Sequence, residues 1–246
     1  MKLSHKSILV VCLIFIPQLL LAQFTIDVET GGVFSGYNDV RIPGDIGTKF
    51  SLSEELDAEP TVFFRAKVIY YFSEKHSLAL FAAPLTVESS GEIDHDIFFE
   101  GLTFPANTPL DATYRFNSYR LTYRYDFYKK ENLEFGLGFT AKIRDAEIAL
   151  ESNELSSSKT NVGFVPIINF RLLWNFANKW GLLFEGDALA APQGRAEDVQ
   201  LALRYLMSDQ IAIRAGYRIL EGGADNDEVY NFALINYASV GVEFAF

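Results

Sequence analysis

The sequence of 246 residues predicts an all-β protein: a closed antiparallel up-and-down barrel of about ten strands, with eight or twelve strands as alternatives. Three observations support this prediction. Apolar and polar residues alternate along most of the chain, no segment has a helical period, and short and long connections alternate between the segments. No break in composition divides residues 23–246, which are therefore expected to form a single domain.

The segment before this domain, residues 1–22, has the pattern of a secretory signal peptide. Two lysines precede a short apolar run from Ile8 to Ile16, and cleavage is expected before Gln23. The run is short for a membrane-spanning helix. The only cysteine, Cys12, lies in this segment, so we expect the exported chain to be stabilised without disulfides.

Ten alternating segments are predicted to be strands. They begin near Phe24, Thr61, Ser77, Thr113, Leu133, Phe164, Trp180, Val199, Ile211 and Leu234. Most contain about 9 to 15 residues, close to the length of a strand that crosses a bilayer at a tilt. Pro84 and Pro166 lie inside two of these strands, and the alternation changes phase near Pro84, which predicts bulges or positions near a rim.

The connections predict a meander with its long loops at one end. The short ones have the sequences SEKH, YKKEN, ANK and SDQ. The long ones cover roughly residues 37–60, 89–112, 151–163, 191–198 and 221–233. Both chain ends then lie at the end with the short turns.

The two faces of the strands predict a membrane barrel rather than a soluble one. One face carries charged residues of both signs, which suits a lumen filled with ion pairs. On the apolar face, aromatic residues such as Tyr70, Trp174 and Trp180 gather near the short turns, as expected at a bilayer interface. A chain without helices can cross a membrane only as a closed barrel. The alternative is a secreted, lipocalin-like barrel with its apolar face inside.

The last residues, VGVEFAF, resemble the C-terminal strand of outer-membrane β-barrel proteins of Gram-negative bacteria. Val240, Val242, Phe244 and Phe246 carry the resemblance, and the meander extends it over residues 23–246. It fits small barrels of the OmpA, OmpX or OmpW type and barrels of omptin size. It implies an outer-membrane location with the long loops outside the cell, contact with outer-membrane lipids and lipopolysaccharide, and recognition of the last strand by the barrel assembly machinery.

The composition argues against a nucleic-acid partner, because 32 acidic residues oppose 21 basic ones and the formal net charge is −11. The sequence favours a structural or surface-interaction barrel, which includes a minor solute path. Two alternatives stay open. One is an outer-membrane enzyme, an omptin-like protease or a lipid A-modifying hydrolase, with its site at the mouth with the long loops. The other is a small channel or porin.

The catalytic candidates are His95 and the flanking Asp94 and Asp96. A histidine between two acids can act as a general base, but the spacing of the omptin catalytic residues is not reproduced, and a solvated loop histidine explains the pattern equally well. No catalytic residue is therefore assigned. The sequence favours a protein without enzymatic activity over an enzyme.

The acidic loops suggest a loosely bound divalent cation rather than a tightly bound cofactor. Carboxylate oxygens suit calcium and magnesium, and a field of one sign concentrates cations. The candidate ligands are Asp94, Asp96, Glu100, Asp225 and Asp227. No EF-hand pattern surrounds them.

Overall fold

The computed structural model describes residues 23–192 and 194–246. The predicted signal peptide lies outside the described residues. The strands of the described part are β1 Phe24–Arg41, β2 Phe50–Ser51, β3 Asp57–Ala58, β4 Thr61–Ser73, β5 His76–Ala83, β6 Thr86–Glu92, β7 Ile97–Phe99, β8 Leu102–Phe104, β9 Pro109–Lys130, β10 Leu133–Glu151, β11 Ser156–Asn175, β12 Trp180–Ala191, β13 Gly194–Leu206, β14 Ile211–Asp225 and β15 Tyr230–Ala245. No helix in these ranges is long and apolar enough to cross a membrane.

The strands close into an antiparallel barrel with ten positions, as predicted. β1 pairs with β4, and neighbouring pairs then run through β5, β9, β10, β11, β12, β13, β14 and β15. β6 follows β5 after Pro84 and shares its position beside β9. β15 returns to β1 along a ladder that starts at Thr25 and Ala245, and the Phe246 N–H donates to the Phe24 carbonyl at 2.9 Å. The last strand therefore closes the barrel.

The apolar face points outward, as the sequence predicts for a membrane barrel. Leu137 and Phe139 are 44% and 72% exposed, whereas Arg65 and Arg120 are almost fully buried in the lumen. Similar exposed large apolar side chains occur on the outer face of each of the ten wall positions, from the short turns up to residues such as Val62 and Phe164. A soluble protein seldom exposes so continuous an apolar surface. This outer surface is called the apolar belt.

Three of the five predicted long loops are mostly strand. β10 continues to Glu151 and β11 begins at Ser156, so most of the predicted loop 151–163 is wrong. The predicted loops 191–198 and 221–233 likewise shrink to short turns. These segments are rich in polar residues because most of their outward side chains lie beyond the apolar belt, while their backbone groups still pair with neighbouring strands.

The two remaining long connections, residues 42–60 and 93–108, fold over the barrel mouth and are called the cap. They contain β2 and β3 and the hairpin of β7 and β8. Their buried side chains include Phe50, Leu52, Leu56, Ile97, Phe99 and Phe104. These pack against apolar side chains of the barrel interior, among them Phe63, Tyr114, Ile148, Ile235 and Tyr237. The interior is therefore apolar near the cap and charged farther down.

This change in the interior explains the altered alternation near Pro84. The register between β5, β6 and β9 continues across Pro84 without a shift, and Pro166 occupies a regular position in the ladder of β10 and β11. Of the two predicted explanations, a bulge or a position near a rim, the bulge is therefore wrong at both prolines. Inward side chains change from polar Ser77 to apolar Leu85 and Val87 where the cap begins to fill the barrel.

Candidate functional site

Buried charged residues cross the lumen halfway along the barrel, and this layer is called the waist. Its members are Asp27, Glu29, Arg65, Lys67, Arg120, Glu185, Asp187, Asp198, Arg214 and Arg218. The waist separates a vestibule of about 240 Å³ at the turn end from a cavity of about 530 Å³ near the cap. The space left within the waist is about 50 Å³, and one water molecule occupies about 30 Å³ in the liquid.

Asp198 is at the centre of the waist. It is 2% exposed, and its carboxylate accepts hydrogen bonds from Arg65, Arg120 and Arg218, the last at 2.7 Å. The sequence analysis assigned Asp198 to a long loop. That assignment is wrong, because β13 begins at Gly194 and turns Asp198 into the lumen.

Other ion pairs extend this network around the barrel. Arg214 donates to Asp27 at 2.7 Å and to Glu29 at 2.9 Å, which also accepts from Arg218. Lys67 donates to Glu185 at 2.9 Å. The predicted lumen of paired charges is therefore present, although it occupies the waist and the turn end rather than the full height of the barrel.

The cavity near the cap has mostly apolar walls. Its apolar lining includes Phe116, Ile148, Val165, Leu189, Leu220, Val229 and Ile235. The waist lies below it and the cap beside it. Its volume of about 530 Å³ falls within the range of roughly 300–1,000 Å³ that is usual for small-molecule sites.

The barrel wall is interrupted beside this cavity. Pairing between β11 and β12 stops at Ile168 and Ala188, although β11 continues from there back to Ser156 along β10. β12 turns into β13 soon after Ala188, and Pro166 has no N–H to donate. The gap is called the side notch and lies between residues 164–167 of β11 and residues 189–191 of β12.

The side notch reaches the apolar belt. Beside it, Phe164 is 67% exposed and Val162 is 71% exposed on the outer surface, and Ile168 at its base is also exposed. Phe164 and Leu189 both line the cavity. The opening therefore connects the cavity with the apolar surroundings of the barrel.

Of the four cationic side chains that line the cavity, Lys142 and Arg144 lack a carboxylate partner among the described residues, whereas the other two are paired. Lys159 is paired with Glu100 at 2.9 Å, and Arg195 is paired with Glu221 at 2.6 Å. Lys142 is 2% exposed and forms no ion pair within the described residues, and its Nζ lies 4.8 Å from the centroid of the Phe116 ring.

Arg144, the next inward residue on β10, is only partly satisfied. It donates a hydrogen bond to the Asn161 side-chain oxygen, while its buried Nε has no partner within the described residues. Lys142 and Arg144 therefore line the cavity without a carboxylate partner among the described residues.

Glu221 marks the edge of the cavity near the mouth, beyond the apolar belt. Burial alone would raise the pKa of Glu221, but hydrogen bonds from Arg195 and Tyr37 outweigh that effect and lower it. This carboxylate is therefore charged at neutral pH, and it is already bound by Arg195 and Tyr37.

The residues suggested as catalytic from sequence lie in the cap, outside the cavity. The His95 side chain is 40% exposed, and its Nδ1 is 3.1 Å from Asp94 and 3.9 Å from Glu55. Asp96 accepts a hydrogen bond from the Ala106 N–H at 2.9 Å and so holds the loop in shape.

The candidate metal ligands are not brought together. Glu100 is paired with Lys159, and Asp225 lies 3.9 Å from Arg41. Asp227 is in the exposed turn between β14 and β15. Among the residues that the structure describes, no group of three His, Cys, Asp or Glu side chains has the arrangement of a metal site.

Comparison with solved structures finds membrane barrels over nearly the whole chain. The outer membrane protease OmpT from Escherichia coli has a TM-score of 0.52 and 8% identity, with 91% of this chain and 97% of that chain covered. Ail of Yersinia pestis, in complex with the heparin analogue sucrose octasulfate, has a TM-score of 0.41 and 11% identity, with 90% and 99% covered. Neisserial surface protein A has a TM-score of 0.34 and 13% identity, with 91% and 97% covered.

The fold is thus that of the outer-membrane β-barrels, as the C-terminal strand predicted. Within this class, the chain is a small ten-stranded barrel with a capped mouth. No protein-family model and no curated protein matches the sequence.

Proposed function

We propose that the protein is an outer-membrane barrel that binds a hydrophobic or amphipathic small molecule in the cavity near its cap. The ligand enters through the side notch, and the cap faces the outside of the cell. One observation carries the proposal: the cavity is separated from the turn end by the waist but is open sideways at the apolar belt.

The apolar lining supports this choice of ligand. Burial of apolar surface contributes roughly 25 cal/mol per Å², so a chain-like or aromatic molecule gains affinity along the walls near Leu189, Leu220 and Ile235. Such a molecule is concentrated in the membrane rather than in water. An entrance at the apolar belt therefore meets the phase in which the ligand is dissolved.

The waist argues against an open pore as the main function. A solute that crossed the barrel would have to separate Asp198 from three arginines or pass through a space of about 50 Å³. We therefore expect very low conductance in planar bilayers. Binding, or transfer between the membrane and the outside, agrees better with this geometry than diffusion through the barrel does.

The proposal can be tested by photolabelling in phosphatidylcholine nanodiscs. The probe is a neutral twelve-carbon alcohol with a diazirine at the end of its chain, and labelled residues are identified by mass spectrometry. The variant Ile167→Cys/Leu189→Cys places a thiol on each side of the side notch. A short, reducible cross-linker then closes the notch, and a reductant reopens it.

Labelling of inward-facing Leu220 and Ile235 is expected in the wild type and in the reopened variant, with a loss of most of that labelling in the closed variant. Labelling confined to outward residues such as Leu137 would contradict the proposal. Equal labelling of the cavity with the notch open and closed would show that the ligand enters by another route.

A further inference from the structure

We infer that the ligand is an amphiphile with one anionic head group, a carboxylate, phosphate or sulfate, bound by Lys142 and Arg144. This inference rests on the proposed function, since it uses the same cavity and side notch. It defines the chemical class of the ligand, which the apolar walls alone leave open.

Burial of Lys142 without a counter-ion is the first argument. A buried charge that lacks a partner costs several kcal/mol. Lys142 is 2% exposed, its Nζ lies 4.8 Å from the centroid of the Phe116 ring, and it forms no ion pair among the described residues. A structural lysine in the waist does have such a partner: Lys67 donates to Glu185 at 2.9 Å. Lys142 faces the cavity, so an anionic ligand can supply what the protein does not.

The nearby carboxylates of the waist cannot easily take this role. Asp187 accepts hydrogen bonds from Arg120 and Thr140, both at 2.7 Å, and from Asn169 at 3.0 Å. Asp198 is occupied by its three arginines. A pair between Lys142 and either acid would require these contacts to break, so Lys142 stays directed toward the cavity.

Arg144 provides a second donor on the same side. Residues two apart on a strand point to the same face, and both Lys142 and Arg144 line the cavity. The guanidinium of Arg144 forms no ion pair among the described residues, and its planar set of donors suits an anion with more than one oxygen. The two side chains can therefore bind one head group together.

The position of the pair explains how the rest of the ligand lies. Lys142 is opposite Val165 in the ladder of β10 and β11, so the head group binds just inside the side notch. Leu220 and Ile235 are on β14 and β15, across the cavity. A single acyl chain then extends from the cationic pair toward that apolar wall.

The test compares twelve-carbon diazirine probes that differ only in the head group: a carboxylate, a phosphate and an alcohol. Half-maximal labelling of Leu220 and Ile235 is measured in phosphatidylcholine nanodiscs for the wild type and for variants. Lys142→Met removes the charge but keeps an unbranched side chain that is one heavy atom shorter, and Lys142→Arg restores the charge. Lys159→Met is the matched control, because Lys159 lines the same cavity but is already paired with Glu100.

Hydrogen bonds to a charged group predict that the wild type prefers the anionic probes to the alcohol by about tenfold or more. Lys142→Met should lower that preference about tenfold, and Lys142→Arg and Lys159→Met should retain it. If Lys142→Met does not assemble, Arg144→Gln, which is expected to reduce the preference in the same direction, replaces it.

Equal half-maximal concentrations for acid and alcohol in the wild type would overturn this inference and leave the proposed function intact. A failure of all three probes to label the cavity would overturn the proposed function itself. Displacement of the acid probe by millimolar inorganic phosphate alone would identify a site for free anions, and would contradict an amphiphilic ligand.

Discussion

Replacement of Asp198 by alanine is expected to destabilise the barrel strongly, and the contacts indicate how much. The carboxylate accepts hydrogen bonds from three buried arginines. After its removal, Arg120 keeps Asp187 and Arg218 keeps Glu29. Arg65 forms no second ion pair within the described residues and keeps only aromatic contacts with Phe81 and Tyr237.

Only Arg65 loses its single ion-pair partner, so one unpaired guanidinium, rather than three, determines the loss of stability. Removal of one partner of a buried ion pair costs about 3–5 kcal/mol, and we expect the free energy of unfolding to fall by about that amount. Asp198→Asn should cost less, since the amide oxygen still accepts a hydrogen bond.

The measurement is equilibrium unfolding of the folded barrel in lipid, followed by the shift in gel mobility between folded and unfolded forms. Glu197→Ala is the matched control, because it removes the same charge from the adjacent residue, whose side chain points to the opposite face. If Asp198→Ala, like the control Glu197→Ala, lowers the free energy of unfolding by less than about 1 kcal/mol, the waist does not stabilise the barrel in the way described here.

Four further predictions follow from other parts of the molecule. Val68→Arg, on the apolar belt, should cost about 2–4 kcal/mol or block assembly, whereas Thr25→Arg, in the polar vestibule, should be milder; equal yields of folded protein would refute the assignment of faces. Phe99→Ala should cost about 3–5 kcal/mol within the cap and make the cap more sensitive to protease, and unchanged digestion would contradict the packing of the cap. The lowered pKa of Glu221 stabilises the end of β14 above the ordinary value of 4.5, so protection of this segment in hydrogen exchange should fall as the pH drops below about 4.5; Glu221→Gln should remove that pH dependence, and a profile identical to that of the wild type would exclude it. Binding of calcium by the acidic cap stays a prediction, which requires slower proteolysis of the cap in millimolar calcium than in chelator.

The barrel could be predicted from the sequence because period-two alternation continues through almost every strand. The final segment from Val240 to Phe246 identified the class of fold. The direction of the faces followed from the aromatic residues near the short turns. Each of these signals is local, because it depends only on residues that are close together in the sequence.

The waist and the cavity could not be predicted in the same way, because they depend on residues that are distant in sequence. Asp198 looked like a loop acid, since nothing in its neighbourhood shows that three arginines from other strands converge on it. Alternation along β10 places Lys142 on the charged face that the sequence assigns to the lumen. Its lack of a partner became visible only when the opposite wall was known.

The side notch left a faint signal. Pro166 has no N–H to donate from β11. In addition, β12 has 12 residues and β11 has 20, so β12 ends before it can pair with the first part of β11. Sequence alone could not combine these facts, because the register between β11 and β12 decides where the pairing stops. The apolar interior under the cap was likewise misinterpreted as a bulge at Pro84.

The most direct test of the proposed cavity is a crystal structure of the full barrel with a brominated twelve-carbon acid, with the bromine located by anomalous scattering. The expected result is a bromine peak between Leu220 and Ile235, with the carboxylate in hydrogen-bond distance of Lys142 Nζ. Bromine found only along the outer apolar belt, with ordered water in the cavity, would contradict an amphiphile-binding barrel.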